Sequence, residues 1–273
     1  MRILISVDAE GLQGITFGTQ VLPGMPDYYL ARETMAQSVN SVGRGIRSSG
    51  VAEKVTVVDS HDGSRNILAE SLDPGISLIT GGPKPLSMVE GVRKTDKMFL
   101  LGYHPRAGTE AGVLDHTYST NVHRLRINEE EMGEIGLSAS VAGHFGVPVT
   151  LLAGDRAAVG EGEKIINDAE FVVLKDGISR YSAETSVPVD AESMLEKSAL
   201  KGARRKGTPF VIDGSVEVSL EFQNTGMADN CMMLPGTVRK DGYTVQAEAK
   251  DIVEAYRIFR VLVSLSSFDH GGY

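Results

Sequence analysis

Short apolar runs rich in β-branched residues alternate along this chain with stretches whose apolar positions recur every three to four residues. That alternation is the pattern of a parallel sheet wrapped by helices. The runs at 3–7, 54–60, 76–80, 98–103, 122–127, 149–153 and 171–175 predict strands, and the strict alternation of Val216, Val218, Leu220 and Phe222 predicts a half-buried one. Helices are predicted over 27–50, 67–71, 161–168, 191–206 and 250–264. In the first, Leu30, Met35, Val39, Val42 and Ile46 share one side and Gly50 is the stop. Asn128 followed by Glu131 reads as an N-cap with a capping box, opening a helix to about Gly143 with Glu134 on its second turn. Gly133 and Gly136 strip that helix of side chains, which implies close packing against a neighbour. The expected fold is α/β, an N-terminal mainly parallel sheet flanked by helices with a smaller C-terminal α/β portion. A boundary is expected near residue 160, giving a metal-binding domain over 1–160 and a second over 161–273, unless the two form one compact unit.

Three of these strands run straight into residue types that bind metals. ILISV leads to Asp8 and Glu10, VTVV to Asp59 and His61, and MFLLGY to His104. The carboxyl ends of strands in an open α/β sheet lie side by side, with ligands in the crevice outside them, so these residues are expected to meet. Singly, each has a bland reading: an acid after a first strand also serves phosphoacceptor domains, His61 is a solvated loop histidine, and His104 a turn residue before Pro105. Convergence favours the metal, and mixed carboxylate and imidazole donors suit zinc. Glu134 stands out from Glu129, Glu130 and Glu131 only through its glycine neighbours, which let it press against another surface. His116 reads equally as a loop histidine or as a catalytic group above the metal. His123, His144 and His270 are expected to be structural, and Asp155, after 149–153, repeats the strand-then-acid pattern.

Charge and composition narrow the field. The 273 residues carry 27 Lys plus Arg against 36 Asp plus Glu, a net charge of -9 that argues against nucleic acid or an anionic membrane as partner. The single cysteine, Cys231, cannot form an internal disulfide and is expected to be a small buried hydrophobe. No signal-peptide pattern and no apolar run of membrane-spanning length is present, so a cytoplasmic protein is expected. G-x-S-x-G, H-E-x-x-H, the P-loop pattern and C-x-x-C are all missing.

SVDAEG (6–11), DSHDG (59–63), GYHPRAGT (102–109), DHT (115–117) and GEIGL (133–137) together resemble the bacterial zinc-dependent D-aminopeptidase family, dipeptide-processing enzymes of dipeptide transport operons. The resemblance continues through KPLSMVEG (84–91), VAGHFGVPV (141–149), LEFQNTG (220–226), MLPGT (233–237) and QAEAKDIVEAYR (246–257), covering essentially the whole chain. It implies two zinc ions per subunit, held by Asp8, Glu10, His61, His104 and Glu134, with Asp8 bridging them and His116 as the catalytic histidine. It also implies a short-peptide substrate, release of an N-terminal residue such as D-alanine, and assembly into ten subunits in two stacked pentameric rings. Two zinc ions would share a water, lower its pKa toward neutrality and polarise the scissile carbonyl, leaving His116 as general base or nucleophile. Three other readings use the same donors: an aminopeptidase of the same family acting on L-peptides, a metal-dependent phosphoesterase, and a non-enzymatic metal-stabilised ring scaffold. Few basic residues, chiefly Arg65 and Arg106, lie near the ligands to hold a phosphate.

Overall fold

A computed structural model describes residues 1–268; His270 lies outside the described residues. Six parallel strands form the larger sheet: β1 (Arg2–Val7), β2 (Lys54–Asp59), β3 (Ile76–Ile79), β4 (Lys97–Tyr103), β7 (Val149–Asp155) and β8 (Glu170–Ser179). β9 (Ser182–Thr185) closes its edge antiparallel to β8, and the strand order is β3-β2-β1-β4-β7-β8-β9. The chain moves outward from β1 to β2 and β3, then returns to lay β4 on the other side of β1. Direction therefore reverses between β1 and β4, and a crevice opens at their carboxyl ends.

Alternation along the strands assigns the two faces. Ile3, Ile5, Val7, Phe99 and Leu101 pack against α2 (Tyr28–Ser49) and α5 (Pro188–Arg204) in one core. Of the predicted stripe, Met35, Val39, Val42 and Ile46 are buried there while Leu30, near the helix start, is exposed, and Gly50 ends α2 in the left-handed conformation at φ 72°. Truncating such a side chain, as in Ile46→Ala, costs about 2–5 kcal/mol. Leu4, Met98 and Leu100 face the other way. They meet α3 (Glu134–His144), α7 (Ile252–Ser266) and an antiparallel sheet of order β11-β12-β10-β5-β6. Its strands are β5 (Val122–Ile127), β6 (Glu130–Glu131), β10 (Val216–Phe222), β11 (Thr237–Arg239) and β12 (Thr244–Ala249). Residue 160 lies within α4 (Arg156–Gly162); β5 precedes it in the second sheet, while β8 and β9 follow it in the first. Cys231, in α6 (Thr225–Cys231), is fully buried, donates to Leu262 O, and has its thiol pushed up to about 12 by burial.

Two predicted helix starts move. Asn128 and Glu129 adopt φ 50° and 70° and turn the chain from β5 into β6, so no helix begins there. A distant strand decides this: the Asn128 side chain accepts from Glu217 N at 2.9 Å, and Glu131 is drawn into ion pairs with Arg106, Arg124 and Arg126. α3 starts at Glu134, which stands on the first turn. The segment predicted as helix over 161–168 instead begins at Arg156, because Asp155 caps α4 by accepting from Ala158 N at 2.7 Å.

Candidate metal centre

The ends of β2, β1 and β4 are neighbours, and their loops deliver the predicted ligands to one place. Asp8 is fixed by the sheet, its N–H donating to Leu101 O at 2.8 Å. β4 passes so close that a Cβ on Gly102 would lie 2.2 Å from Asp8 O; its φ of 72° independently favours glycine. Asp59 does not join the ligands. Its buried carboxylate accepts from Asn66 N (2.6 Å), Asn66 Nδ2 (2.7 Å) and Ile67 N (3.0 Å), shaping the loop that presents His61. Glu134 enters from α3, whose preceding Gly133 abuts Arg106: an added Cβ would sit 2.7 Å from the Arg106 Cβ.

The two oxygens of Asp8 look in opposite directions. Oδ1 lies 3.2 Å from His61 Nδ1, which is also 3.0 Å from Glu10 Oε2. Oδ2 lies 3.6 Å from His104 Nε2, which is 3.4 Å from Glu134 Oε1. All five groups are buried. The far nitrogen of each imidazole is held by a main-chain carbonyl: His61 Nε2 by Val21 O at 2.8 Å, His104 Nδ1 by Pro105 O at 3.0 Å, and His116 Nδ1 by Leu114 O at 2.8 Å. With those N–H groups committed, the lone pairs of His61 Nδ1, His104 Nε2 and His116 Nε2 are free to ligate or to accept a proton. Among the described residues, Glu10 Oε2 and His104 Nε2 are buried with no hydrogen-bond partner. Donors around a tetrahedral zinc ion, with bonds of about 2.0–2.2 Å, stand about 3.3 Å apart. The separations on both sides of Asp8 bracket that value, so the residues fit two ions.

Held this close, the groups displace one another's proton affinities. Burial raises Asp8 to about 7, with the Glu10 charge adding to it. Burial also works against the Glu10 and Glu134 carboxylates, but His61 pulls the first well below its ordinary value and His104 lowers the second. The imidazoles show the reverse balance. Burial opposes their charge, yet Glu10 lifts His61 well above the usual histidine range and Glu134 lifts His104 to about 10. His116 alone is lowered, by burial and then by the His104 charge.

A model of the D-aminopeptidase family matches residues 1–261. A D-aminopeptidase of Bacillus subtilis (strain 168) is 38% identical over 270 residues, covering 97% of this chain and 98% of that one. The chain belongs to the D-aminopeptidase family. The structure of the Zn-dependent D-aminopeptidase DppA from Bacillus subtilis, a self-compartmentalizing protease, superposes with a TM-score of 0.93 at 36% identity, over 98% of this chain and 100% of that one. Membership in a peptidase family favours the hydrolase over the phosphoesterase and scaffold readings.

In this family member the centre opens into a cavity of about 370 Å³. Val21, Leu22, Met88 and Leu114 give it apolar walls, and His116 stands on its surface. The His116 ring stacks on His104, with centroids 4.0 Å apart and planes 13° from parallel, and its Nε2 is 3.9 Å from Glu134 Oε1. His123 is exposed on β5 and His144 ends α3, both apart from the five ligands. Three acids pin the loop that carries His116: half-buried Glu161 accepts from Arg106 N at 2.8 Å, and buried Asp155 and Asp115 accept from Val113 N at 2.8 Å and Gly108 N at 2.6 Å. Asp155 is therefore a cap and a loop anchor, and its strand-then-acid pattern does not mark a ligand. Sequence reasoning missed Tyr118, whose N–H donates to Glu134 Oε1 at 2.7 Å, and Arg180, which reaches the cavity from the β8–β9 turn and is held by Asp115. A main-chain donor and a turn arginine carry no pattern that separates them from their neighbours.

Proposed function

We propose that this chain is a dizinc D-aminopeptidase that releases an N-terminal residue, such as D-alanine, from short peptides. The opposed oxygens of Asp8, each facing one histidine and one glutamate, carry this reading. Glu10 and His61 would hold one ion and His104 and Glu134 the other, with Asp8 offering one oxygen to each. Zinc held there would supply Lewis-acid chemistry, lowering the pKa of a water and polarising the scissile carbonyl. The protein's own residues then orient the substrate and move the proton. His116, with Nδ1 fixed on Leu114 O, presents Nε2 to the cavity as the group that takes a proton from the attacking water and returns it to the leaving amine. Val21, Leu22, Met88 and Leu114 suit a small apolar side chain, and the cavity volume suits a short peptide.

Assembly into two stacked pentameric rings is part of the proposal, supported by the relative described as a self-compartmentalizing protease. Exposed apolar side chains around α1 (Gly18–Val21), namely Phe17, Leu22, Met25 and Tyr29, offer surface for such contacts. Among the described residues no helix is long and apolar enough to cross a membrane. A cytoplasmic location is a separate part of the proposal.

The experiment is metal analysis of the purified protein beside hydrolysis of matched D-Ala and L-Ala dipeptides, with and without a chelator. The expected result is two zinc ions per chain and chelator-sensitive release of D-Ala. Release confined to L-Ala would overturn the stereochemistry, and phosphatase turnover without peptidase turnover would overturn the function.

A further inference from the structure

Lys175 lies inside β8 with 1% of its surface exposed and forms no ion pair among the described residues. Its ammonium donates to three main-chain carbonyls of one short segment: Glu10 O, Leu12 O at 2.9 Å, and Ile15 O. An ammonium has three N–H donors, so the match is complete, and a buried cation without such partners would be costly. The segment it grips lies outside regular secondary structure and begins at a residue of the metal centre.

The two carboxylates of that loop are therefore set by different means. Asp8 continues β1, and its N–H is registered on Leu101 O at 2.8 Å. Glu10 comes after the chain has left the sheet. Around it the main chain is held by Gly11 N donating to Gly102 O at 2.8 Å and by the carbonyl grip of Lys175. Among the described residues Lys175 forms no ion pair with either carboxylate; its charge is felt by Glu10, and its three hydrogen bonds fix the turn from which Glu10 projects.

Resting on the two-metal reading, we propose that Lys175 is a positioning residue that fixes the Glu10–Ile15 turn and thereby sets Glu10 for the half of the centre it shares with His61. A methionine at 175 has similar length and no donor; an arginine keeps the charge but presents its donors as a planar fork. The two halves supply the control. His104→Ala keeps the Glu10/His61 half, and His61→Ala keeps the His104/Glu134 half.

The test is zinc affinity, measured by competition with a chromophoric chelator, for the wild-type protein and for Lys175→Met and Lys175→Arg in each half-site background. Lys175→Met is expected to weaken zinc binding about 10–100-fold in His104→Ala, the usual scale for a group that orients a ligand. In His61→Ala the loss should stay within about twofold, as for independent sites. Lys175→Arg should recover part of the affinity in the first background. Equal weakening in both backgrounds would show a general loss of structure and overturn the proposal, as would no weakening in either. Should Lys175→Met fail to fold, the same contrast between backgrounds is read on Lys175→Arg. A wild-type protein that binds two zinc ions without the contrast sinks only the role of Lys175; one that binds fewer than two sinks the two-metal reading and this proposal with it.

Discussion

The two halves of the centre have the same inventory and different surroundings. Each offers one oxygen of Asp8, one glutamate and one histidine. In the Glu10/His61 half, His61 is tied to the end of α1 through Val21 O, and Lys175 and Asp59 grip the loops beneath. Against the His104/Glu134 half lies a third imidazole, His116, stacked on one ligand and exposed to the cavity. The difference teaches that symmetry of ligands does not mean symmetry of roles. On the proposed reading, one half serves to hold its ion and the other has a spare base facing the cavity.

Removing the shared element should erase the comparison. Asp8→Ala is expected to cost both metals and all measurable peptidase activity, with the fold retained by circular dichroism. A variant that still holds two zinc ions would mean that the halves do not share Asp8. Removing the spare base should separate holding from working. For His116→Ala we expect two zinc ions by elemental analysis and a turnover reduced about 10²–10⁴-fold, the range of a positioned proton-transfer group. Undiminished turnover with the metals in place would remove His116 from catalysis.

A weaker perturbation should act on one half only. Asp59→Ala releases the loop that presents His61, and an affinity loss of about 10–100-fold is expected for one of the two ions, visible as a biphasic chelator titration. A single phase matching wild type would contradict the division. The smallest expected effect concerns protons. In the metal-free protein His104 is raised from 6.5 to about 10, so the folded state binds the extra proton between those values. Its contribution to stability is complete below 6.5 and lost as the pH rises through about 10. Over the same window zinc binds more tightly, because the competing proton leaves. Thermal unfolding of chelator-treated protein should therefore fall with pH from 6.5 to 10, and a rising melting temperature would contradict the assignment.

Much of the centre was legible in the sequence because parallel topology brings strand ends together. Asp8, Glu10, His61 and His104 follow β1, β2 and β4, and the sheet order makes those strands neighbours. Glu134 was legible through its flanking glycines, although its helix was misplaced by one turn. The capping-box pattern at Asn128 and Glu131 is local, whereas the turn that replaces it is fixed by Glu217 in β10, far along the chain. The same limit hides Lys175. A lysine that binds main-chain carbonyls leaves no trace in the residues it binds, since every residue has a carbonyl. Each of the two sheets draws strands from both sides of residue 160, β8 and β9 joining the first and β10 to β12 the second.

The central claim is that Asp8 joins two metal sites. The most direct measurement is an anomalous difference map from crystals of the zinc-loaded protein, collected on both sides of the zinc absorption edge. Two peaks about 3.5–4 Å apart are expected, one nearest Oδ1 with His61 and Glu10 and the other nearest Oδ2 with His104 and Glu134. A single peak, or two peaks that leave Asp8 ligating only one of them, would contradict the account.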